Sequence, residues 1–410
     1  MLAYSIDMVY KMNFLITFHR FGPYHHARLN ALSTLCNLTA IEYTCVDNTY
    51  AWDIVPPAKS FEHITLFSDK DIDLKSRDEI KSKLWATLNK KSPDVIAIPG
   101  WSTLPALLTL EWAVKNNTPA IVMSASTESD ETRKPWKEWI KTCIVKLFSA
   151  GIGGGSLHVD YLNKLGLPKN DLFIGYDTVD NEHFSRGSKK VKNDIKYYRE
   201  SYSLPSNYFI NSSRFVEKKN LFRLIDAYAK YKSTTDSLDF WHLVILGDGP
   251  LRNKLENHVA NLGLNQFIHF PGFVQYPELP IYYGAANAYI QASTTEQWGL
   301  VVNEAMASGL PVLVSNKCGC AADLVIEGVN GFTFDPYETS CLTDLMLTIT
   351  SNGCDIEQMG NSSRRIIDQW STDVFAKNIM MAANNAAKKP PHSTSWLNNI
   401  ILWILIMRGK

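Results

Sequence analysis

Two glutamates lie eight positions apart in a segment that separates two strand-like runs. The segment reads TTEQWGLVVNEAMASGLPV over residues 294–312, and its two acids are Glu296 and Glu304. Glu304 lies among apolar residues, where an unpaired charge is unfavourable. A carboxylate at this position could accept two hydrogen bonds from a vicinal diol such as a ribose. The alternatives are stabilisation of the helix dipole by Glu296 and a partly exposed helical acid at Glu304.

The same segment predicts a helix that begins near Gly299 and ends before Gly309. Gly309 is a typical C′ residue, and Pro311 prevents the helix from continuing. The first helical amides, those of Gly299, Leu300 and Val301, have no partners within the helix and lie at its positive end. We therefore expect an anion site there, next to both glutamates.

A basic cluster precedes this segment in NSSRFVEKKNL, directly after another strand-like run. Arg214 offers a planar fork for phosphate oxygens, and Lys219 offers a point charge. Lys218 is better explained as a solvated residue of a basic turn. Arg214 and Lys219 are therefore candidate phosphate ligands.

Short apolar runs alternate with helical patterns along most of the chain. This rhythm predicts an α/β protein with two doubly wound parallel sheets, whose strand ends would face each other across a cleft. We place an N-terminal Rossmann-like domain at 12–186 and a charged linker at 187–206. A second Rossmann-like domain follows at 207–375, and a crossover helix with an apolar tail occupies 376–410.

Composition narrows the possible partners. The 410 residues contain 41 Lys plus Arg and 41 Asp plus Glu, so no overall charge favours a nucleic-acid partner. The seven cysteines are scattered, which fits a reducing compartment such as the cytoplasm. Cys318 and Cys320 form a C-x-C without a second pair or flanking histidines, which is not typical of a metal site, and we expect no metal or cofactor.

Five stretches of the sequence resemble, in the same order along the chain, the C-terminal half of family-4-type retaining glycosyltransferases. These enzymes are the glycosyl transferases group 1 and have the GT-B fold. The resemblance covers about residues 207–375. Its most specific element is the pair of glutamates eight positions apart together with the upstream Arg and Lys. The stretches are SSRFVEKKNL, LVILGDGPL, FPGFV, TTEQWGLVVNEAMASGLPVLVS and GVNGFTFDP.

The resemblance implies a nucleotide-diphosphate sugar as co-substrate and assigns roles to the candidate residues. Arg214 and Lys219 would hold the diphosphate, Glu304 the ribose hydroxyls, and Glu296 the sugar. The helix amides at 299–301 would approach the phosphate or the sugar hydroxyls. The base would lie against Gly272, Phe273 and Val274.

The N-terminal half resembles the family less. By position, Gly22 would open the loop beneath the donor phosphates. Acceptor contacts are expected from His25 or His26, from Trp101 and from Ser126, although either histidine could equally be an ordinary residue at a helix N-terminus. Many relatives carry a histidine in the loop after the fifth strand, and this chain has none there.

The expected activity is transfer of a sugar, with retention at the anomeric carbon, to a glycan or lipid-linked acceptor of the cell envelope. A GT-B sugar-nucleotide epimerase or hydrolase and a non-catalytic sugar-nucleotide or glycan-binding module remain as alternatives. Residues 396–410 either contact the inner face of a membrane peripherally or pack as a terminal helix.

Overall fold

The structure is a computed structural model of the chain. It describes residues 11–45, 59–68, 72–235, 240–389 and 395–408.

The N-terminal half forms a seven-stranded parallel sheet with the strand order β3-β2-β1-β4-β5-β6-β7. Its central strands are continuous apolar runs because helices cover both faces of the sheet. The strands are β1 Asn13–Phe18, β2 Asn37–Thr44, β3 Glu62–Phe67, β4 Val95–Pro99, β5 Ala120–Ser124, β6 Ala150–Gly153 and β7 Leu172–Ile174.

The C-terminal half forms a six-stranded parallel sheet with the order β10-β9-β8-β11-β12-β13. The predicted α/β class and the two doubly wound domains are confirmed. The strands are β8 Tyr208–Ser212, β9 His242–Leu246, β10 Ile268–Gly272, β11 Ala288–Gln291, β12 Val312–Ser315 and β13 Gly331–Phe334.

Helices connect successive strands and cover the sheets. Those of the first half are α1 Pro23–Ser33, α2 Arg77–Lys91, α3 Leu104–Lys115, α4 Pro135–Val145 and α5 Ser156–Lys164. The others are α6 Asn181–Asn193, α7 Ile195–Ser201, α8 Leu221–Thr234, α9 Arg252–Asn261, α10 Leu279–Ala285, α11 Leu300–Ala307, α12 Ala321–Leu324, α13 Thr339–Thr350, α14 Ile356–Ile367, α15 Thr372–Ala387 and α16 Trp396–Arg408.

Two segments cross between the halves. Residues 187–206, predicted to be the charged linker between the domains, are helical: they contain the second half of α6 and all of α7. Phe184 and Val191 of α6 are buried in the core of the second domain. The many charged side chains of this stretch lie on the faces of the two helices that are exposed to solvent. In the other direction, α15 returns to the first domain, where it packs on α1 and β6, and Phe375 and Ile379 join that domain's core.

The apolar tail forms α16, which packs on α3 and α4 of the first domain through Leu402 and Ile406. Among the described residues, none of the helices has both the length and the apolar character that crossing a bilayer requires. All seven cysteines lie in the described part of the chain, and each is a free thiol.

Candidate functional site

The strand order of the second sheet determines where its ligands can bind. The order reverses between β8 and β11, and the carboxyl ends of strands at such a point form a crevice. The loop after β8 carries Arg214 and Lys219, and the loop after β11 carries Glu296. The backbone amide of Thr294 donates to the carbonyl of Lys218 over 2.9 Å, which ties the two loops together.

Lys219 and Glu296 form an ion pair across this switch point. The side chains are only 13% and 15% exposed, so the pair is largely shielded from water. Asn220, in the left-handed region at φ 58°, turns the chain into α8, and its buried amide donates to the carbonyl of Ala292 over 3.0 Å. Two of the predicted donor ligands therefore meet and neutralise each other.

Arg214 lies beside this pair along the chain but behaves differently. Its side chain is exposed, and it forms no hydrogen bond or ion pair with another described residue. A free guanidinium at the end of a central strand is available to an anionic ligand.

The predicted helix beside Glu296 is confirmed as α11. Gly299 is its N-cap residue at φ 107°, and Gly309 follows its end at φ 77°. Both angles favour glycine. Leu300 and Val301 form the first turn, and their amides are the expected anion site.

A second backbone segment supports the loop of Glu296. The amide of Gly319 donates to the carbonyl of Glu296 over 3.0 Å. A Cβ at Gly319 would lie 1.8 Å from the carbonyl oxygen of Gln297, so only glycine fits. Cys320, the next residue, is a fully buried thiol.

Glu304 is fully buried, and its carboxylate already has two partners. The hydroxyl of Tyr24 donates to Oε1 over 2.5 Å, and that of Tyr283 donates to Oε2 over 2.7 Å. Tyr24 belongs to α1 of the first domain, so this contact spans the cleft. The oxygens predicted to bind a ribose are occupied by tyrosines of the chain itself.

Burial raises the pKa of Glu304 to about 7, although the two tyrosine hydrogen bonds act in the opposite direction. Burial also raises the pKa of Tyr283 well above its ordinary value, so its hydroxyl keeps the proton that it donates.

The raised pKa of Glu304 makes stability depend on pH. Between about pH 4.5 and 7 the folded chain keeps a proton on Glu304 that the unfolded chain releases, so rising pH destabilises the fold through this window. The total is at most about 3 kcal/mol. Urea unfolding at pH 5 and pH 8 should show the Glu304→Gln variant gaining stability relative to the wild type at the higher pH. A difference between the two proteins that does not change with pH would contradict this prediction.

The predicted base-binding residues lie at the end of β10. Gly272, at φ 97°, is the last residue of the strand, and its carbonyl accepts from the amide of Gly247 over 2.8 Å. Phe273 is 41% exposed, whereas Val274 is buried in the core of the domain. Phe273 and the backbone are thus the parts open to a ligand.

The first domain closes over this region through residues 153–158. A Cβ at Gly155 would lie 2.1 Å from Asp323 and 2.7 Å from the ring of Trp298. The amide of Ser156 donates to Asp323 over 3.0 Å. The buried ring of His158 accepts from the amide of Gly155 through Nδ1, so its Nε2 donates to the carbonyl of Gln297 over 3.0 Å.

A loop of the first domain also reaches the loop of Glu296. The side-chain amide of Gln297 donates to Asp130 over 3.3 Å. Asp130 is held by an ion pair with Arg133 within its own loop. Two segments of the first domain therefore contact Gln297, the residue directly after Glu296.

The two histidines predicted on the acceptor side have structural partners. The ring of His25 accepts from the amide of Gly22 over 3.1 Å and packs edge-on against Phe18. Burial lowers its pKa well below the ordinary value. His26 is 6% exposed and packs against Phe21. His25 is therefore tied to the start of α1 through its contact with Gly22.

The other candidates of the first domain lie at the ends of its strands. Gly22 caps α1 directly after β1, as expected for the loop beneath the donor. Trp101 is half-buried after β4, and its ring packs on the core of the domain. Ser126 is half-buried after β5, and its amide donates to the hydroxyl of Ser124 over 3.2 Å.

The sequence did not indicate the partners of Glu304 or the contacts of Trp298. Tyr24 and Tyr283 are separated from Glu304 by 280 and 21 positions, so no local spacing connects them. The indole of Trp298 donates to Asn303 over 2.9 Å, a contact that lies wholly within the segment 294–312.

Residues 196–366 match the family described as Glycosyl transferases group 1. The match falls within the second domain together with α7 and contains Arg214, Lys219, Glu296 and Glu304. The resemblance predicted from the sequence motifs is confirmed over this range.

Two curated proteins illustrate the similarity. The alpha-monoglucosyldiacylglycerol synthase of Acholeplasma laidlawii is 29% identical over 167 residues, which is 40% of each chain. The sulfoquinovosyl transferase of Arabidopsis thaliana is 30% identical over 179 residues, which is 42% of this chain and 34% of that one. The matched segments thus span less than half the length of these relatives.

Among solved structures, HepE of Anabaena in complex with UDP and glucose has a TM-score of 0.70 with this chain. The match covers 90% of this chain and 98% of HepE at 18% identity. Both domains are included, so the predicted GT-B fold is confirmed.

Proposed function

We propose that this chain is a retaining, family-4-like glycosyltransferase that uses a nucleotide-diphosphate sugar. One observation carries the proposal. At the switch point of the second sheet, the loops after β8 and β11 bring together the ion pair of Lys219 with Glu296, and the same two loops carry the exposed Arg214 and lead into the first turn of α11. HepE, which shares the fold, was crystallised with UDP and glucose, and this supports a nucleotide sugar as the donor.

The main electrostatic requirement of such a transfer is the negative charge that develops on the leaving diphosphate. Arg214, Lys219 and the amides at the start of α11 supply positive charge that is already in position. Transfer would therefore proceed without a metal ion, and activity should survive EDTA. Glu296 would position the sugar and stabilise positive charge at its ring.

Donor binding would have to rearrange the side-chain contacts of Lys219 and Glu304. Lys219 must exchange Glu296 for phosphate oxygens, and Glu304 must exchange at least one tyrosine hydroxyl for the ribose. Tyr283 belongs to the same domain as Glu304, whereas Tyr24 crosses the cleft. Tyr24 is thus the partner that opening of the domains would remove.

The acceptor would be a glycan or a lipid-linked sugar of the cell envelope, and the protein would act in the cytoplasm. The similarity to a glucosyldiacylglycerol synthase and to a sulfoquinovosyl transferase supports an acceptor of this kind.

The test is to incubate the chain with a panel of UDP-, GDP- and ADP-sugars, with and without lipid-linked acceptors. We expect one donor to release nucleoside diphosphate in an acceptor-dependent way, with the anomeric configuration of the product retained in its NMR spectrum. Tight donor binding without release under any condition would refute the transferase and favour a binding module. Equal release without an acceptor would indicate a hydrolase, and a changed nucleotide sugar would indicate an epimerase.

A further inference from the structure

Helix α16 exposes an apolar stripe along its outer face. Trp396, Ile400, Trp403 and Met407 follow one another at helical spacing, so they lie on one side of the helix. Their exposed fractions are 73%, 42%, 57% and 48%. Because the inner face already packs on the first domain, the helix is apolar on two sides.

Helix α4, which packs against α16, adds two more tryptophans. Trp136 and Trp139 lie one turn apart near its start and are 59% and 50% exposed. All the tryptophans that are at least half exposed among the described residues belong to these two helices. We call the six residues the tryptophan surface: Trp136, Trp139, Trp396, Ile400, Trp403 and Met407.

Exposed basic side chains border the tryptophan surface. No residue of α16 is acidic, and the helix ends with the exposed Arg408. The exposed Lys134, the N-cap residue of α4, and Lys137 flank Trp136. The nearby acids are paired with cations: Glu131 and Glu138 with Lys141, and Asp78 with Arg77. Exposed tryptophan beside lysine and arginine suits an interface with anionic lipid, because indole favours the headgroup region and basic side chains bind anionic headgroups.

The length of α16 is consistent with lying on a bilayer. Its 13 residues span roughly 20 Å, whereas the hydrocarbon core is about 30 Å thick. A helix with one face anchored to the protein and the other exposed would sit parallel to the membrane plane.

The tryptophan surface extends to the edge of the domain that faces the cleft. A guanidinium nitrogen of Arg77, the first residue of α2, lies 2.7 Å from the sulfur of Met407. Helices of a parallel α/β sheet run opposite to its strands, so the start of α2 lies at the carboxyl edge of the sheet. Trp136, near the start of α4, lies at the same edge.

We infer that the tryptophan surface docks this chain onto an anionic lipid bilayer with the carboxyl edge of the first domain close to the membrane. A second copy of the chain is the competing occupant. The bilayer is favoured because the exposed groups are indoles bordered by basic side chains, whereas two copies of the surface would bring like charges together.

The test is co-sedimentation of the full chain with vesicles of phosphatidylcholine alone or of phosphatidylcholine with phosphatidylglycerol. We expect binding to the anionic vesicles, weaker binding to neutral ones, and a loss of at least about tenfold in the Trp396→Ala/Trp403→Ala variant. The matched control is Tyr197→Ala/Tyr337→Ala, which removes two exposed aromatic rings of the second half and should bind like the wild type. Thermal melting of each variant checks that it folds.

Unchanged vesicle binding by the tryptophan variant, or no binding by the wild type, would overturn the inference. If the wild type is instead a dimer in the absence of vesicles and the tryptophan variant is a monomer, the surface is assigned to a second copy of the chain. Vesicle binding is measured without donor or acceptor. A negative result would therefore leave the proposed sugar transfer unaffected.

Discussion

Replacing Lys219 with methionine is expected to lower kcat/KM for the donor by about 10²–10³-fold, the size of effect typical of removing one preorganised electrostatic group. Lys219 is the predicted diphosphate ligand that is held in place, since it is 13% exposed and paired with Glu296. The measurement is release of nucleoside diphosphate with the donor identified in the panel. Lys218→Met is the matched control. Its exposed side chain lies one position earlier, and we expect less than about a threefold change there.

The Lys219 variant also leaves the carboxylate of Glu296 without its cation, which could destabilise the loop. The double variant Lys219→Met/Glu296→Gln separates the two effects. It should recover thermal stability lost by the single variant but no activity. Activity restored together with stability would show that Lys219 acts only as a structural partner of Glu296.

The alternation of apolar strands and helices in the sequence was enough to predict the two parallel sheets. Each strand is a local run of buried residues, so its position is visible without knowledge of distant contacts. The bounds of α11 were predictable for the same reason, because Gly299, Gly309 and Pro311 act on the backbone where they stand. The helices within the predicted linker 187–206 were not visible in the sequence. The charge on the solvent face of α6 leaves few apolar residues, such as the buried Val191, to mark a helix.

The environment of Glu304 depends on packing between domains, and no local pattern encodes it. The sequence suggested an acid whose partners would arrive with the substrate. In the structure two tyrosine hydroxyls already satisfy the carboxylate, one of them from the other domain. Similarly, Lys219 and Glu296 were predicted to bind the same ligand, and in its absence they bind each other.

These internal contacts have a common consequence for donor binding. Lys219, Glu296 and Glu304, which would hold the phosphate, the sugar and the ribose, are each paired within the chain, whereas Arg214 is not. Their burial is tolerated because they are paired. Any donor must therefore supply better partners than those it displaces. Its affinity reflects the difference in free energy between the two sets of contacts.

The second large effect is expected at Glu304. Glu304→Gln should raise the donor KM by about 10–100-fold, because hydrogen bonds to a charged group contribute about 1.5–3 kcal/mol, and should lower kcat less. Tyr24→Phe should instead lower the donor KM. Without the hydroxyl that competes for Oε1, the donor should bind several times more tightly. Isothermal titration with the identified donor measures both, and Tyr197→Phe, an exposed ring on α7, is the neutral control.

The two variants together distinguish the possible roles of Tyr24. Tighter binding in Tyr24→Phe with weaker binding in Glu304→Gln means that the tyrosine occupies the place of the ribose until the donor arrives. Weaker binding in both means that Tyr24 itself contacts the donor after the domains close. Unchanged binding in Glu304→Gln would remove the ribose role from Glu304, and the buried carboxylate would then serve only to hold Tyr24 and the two domains together.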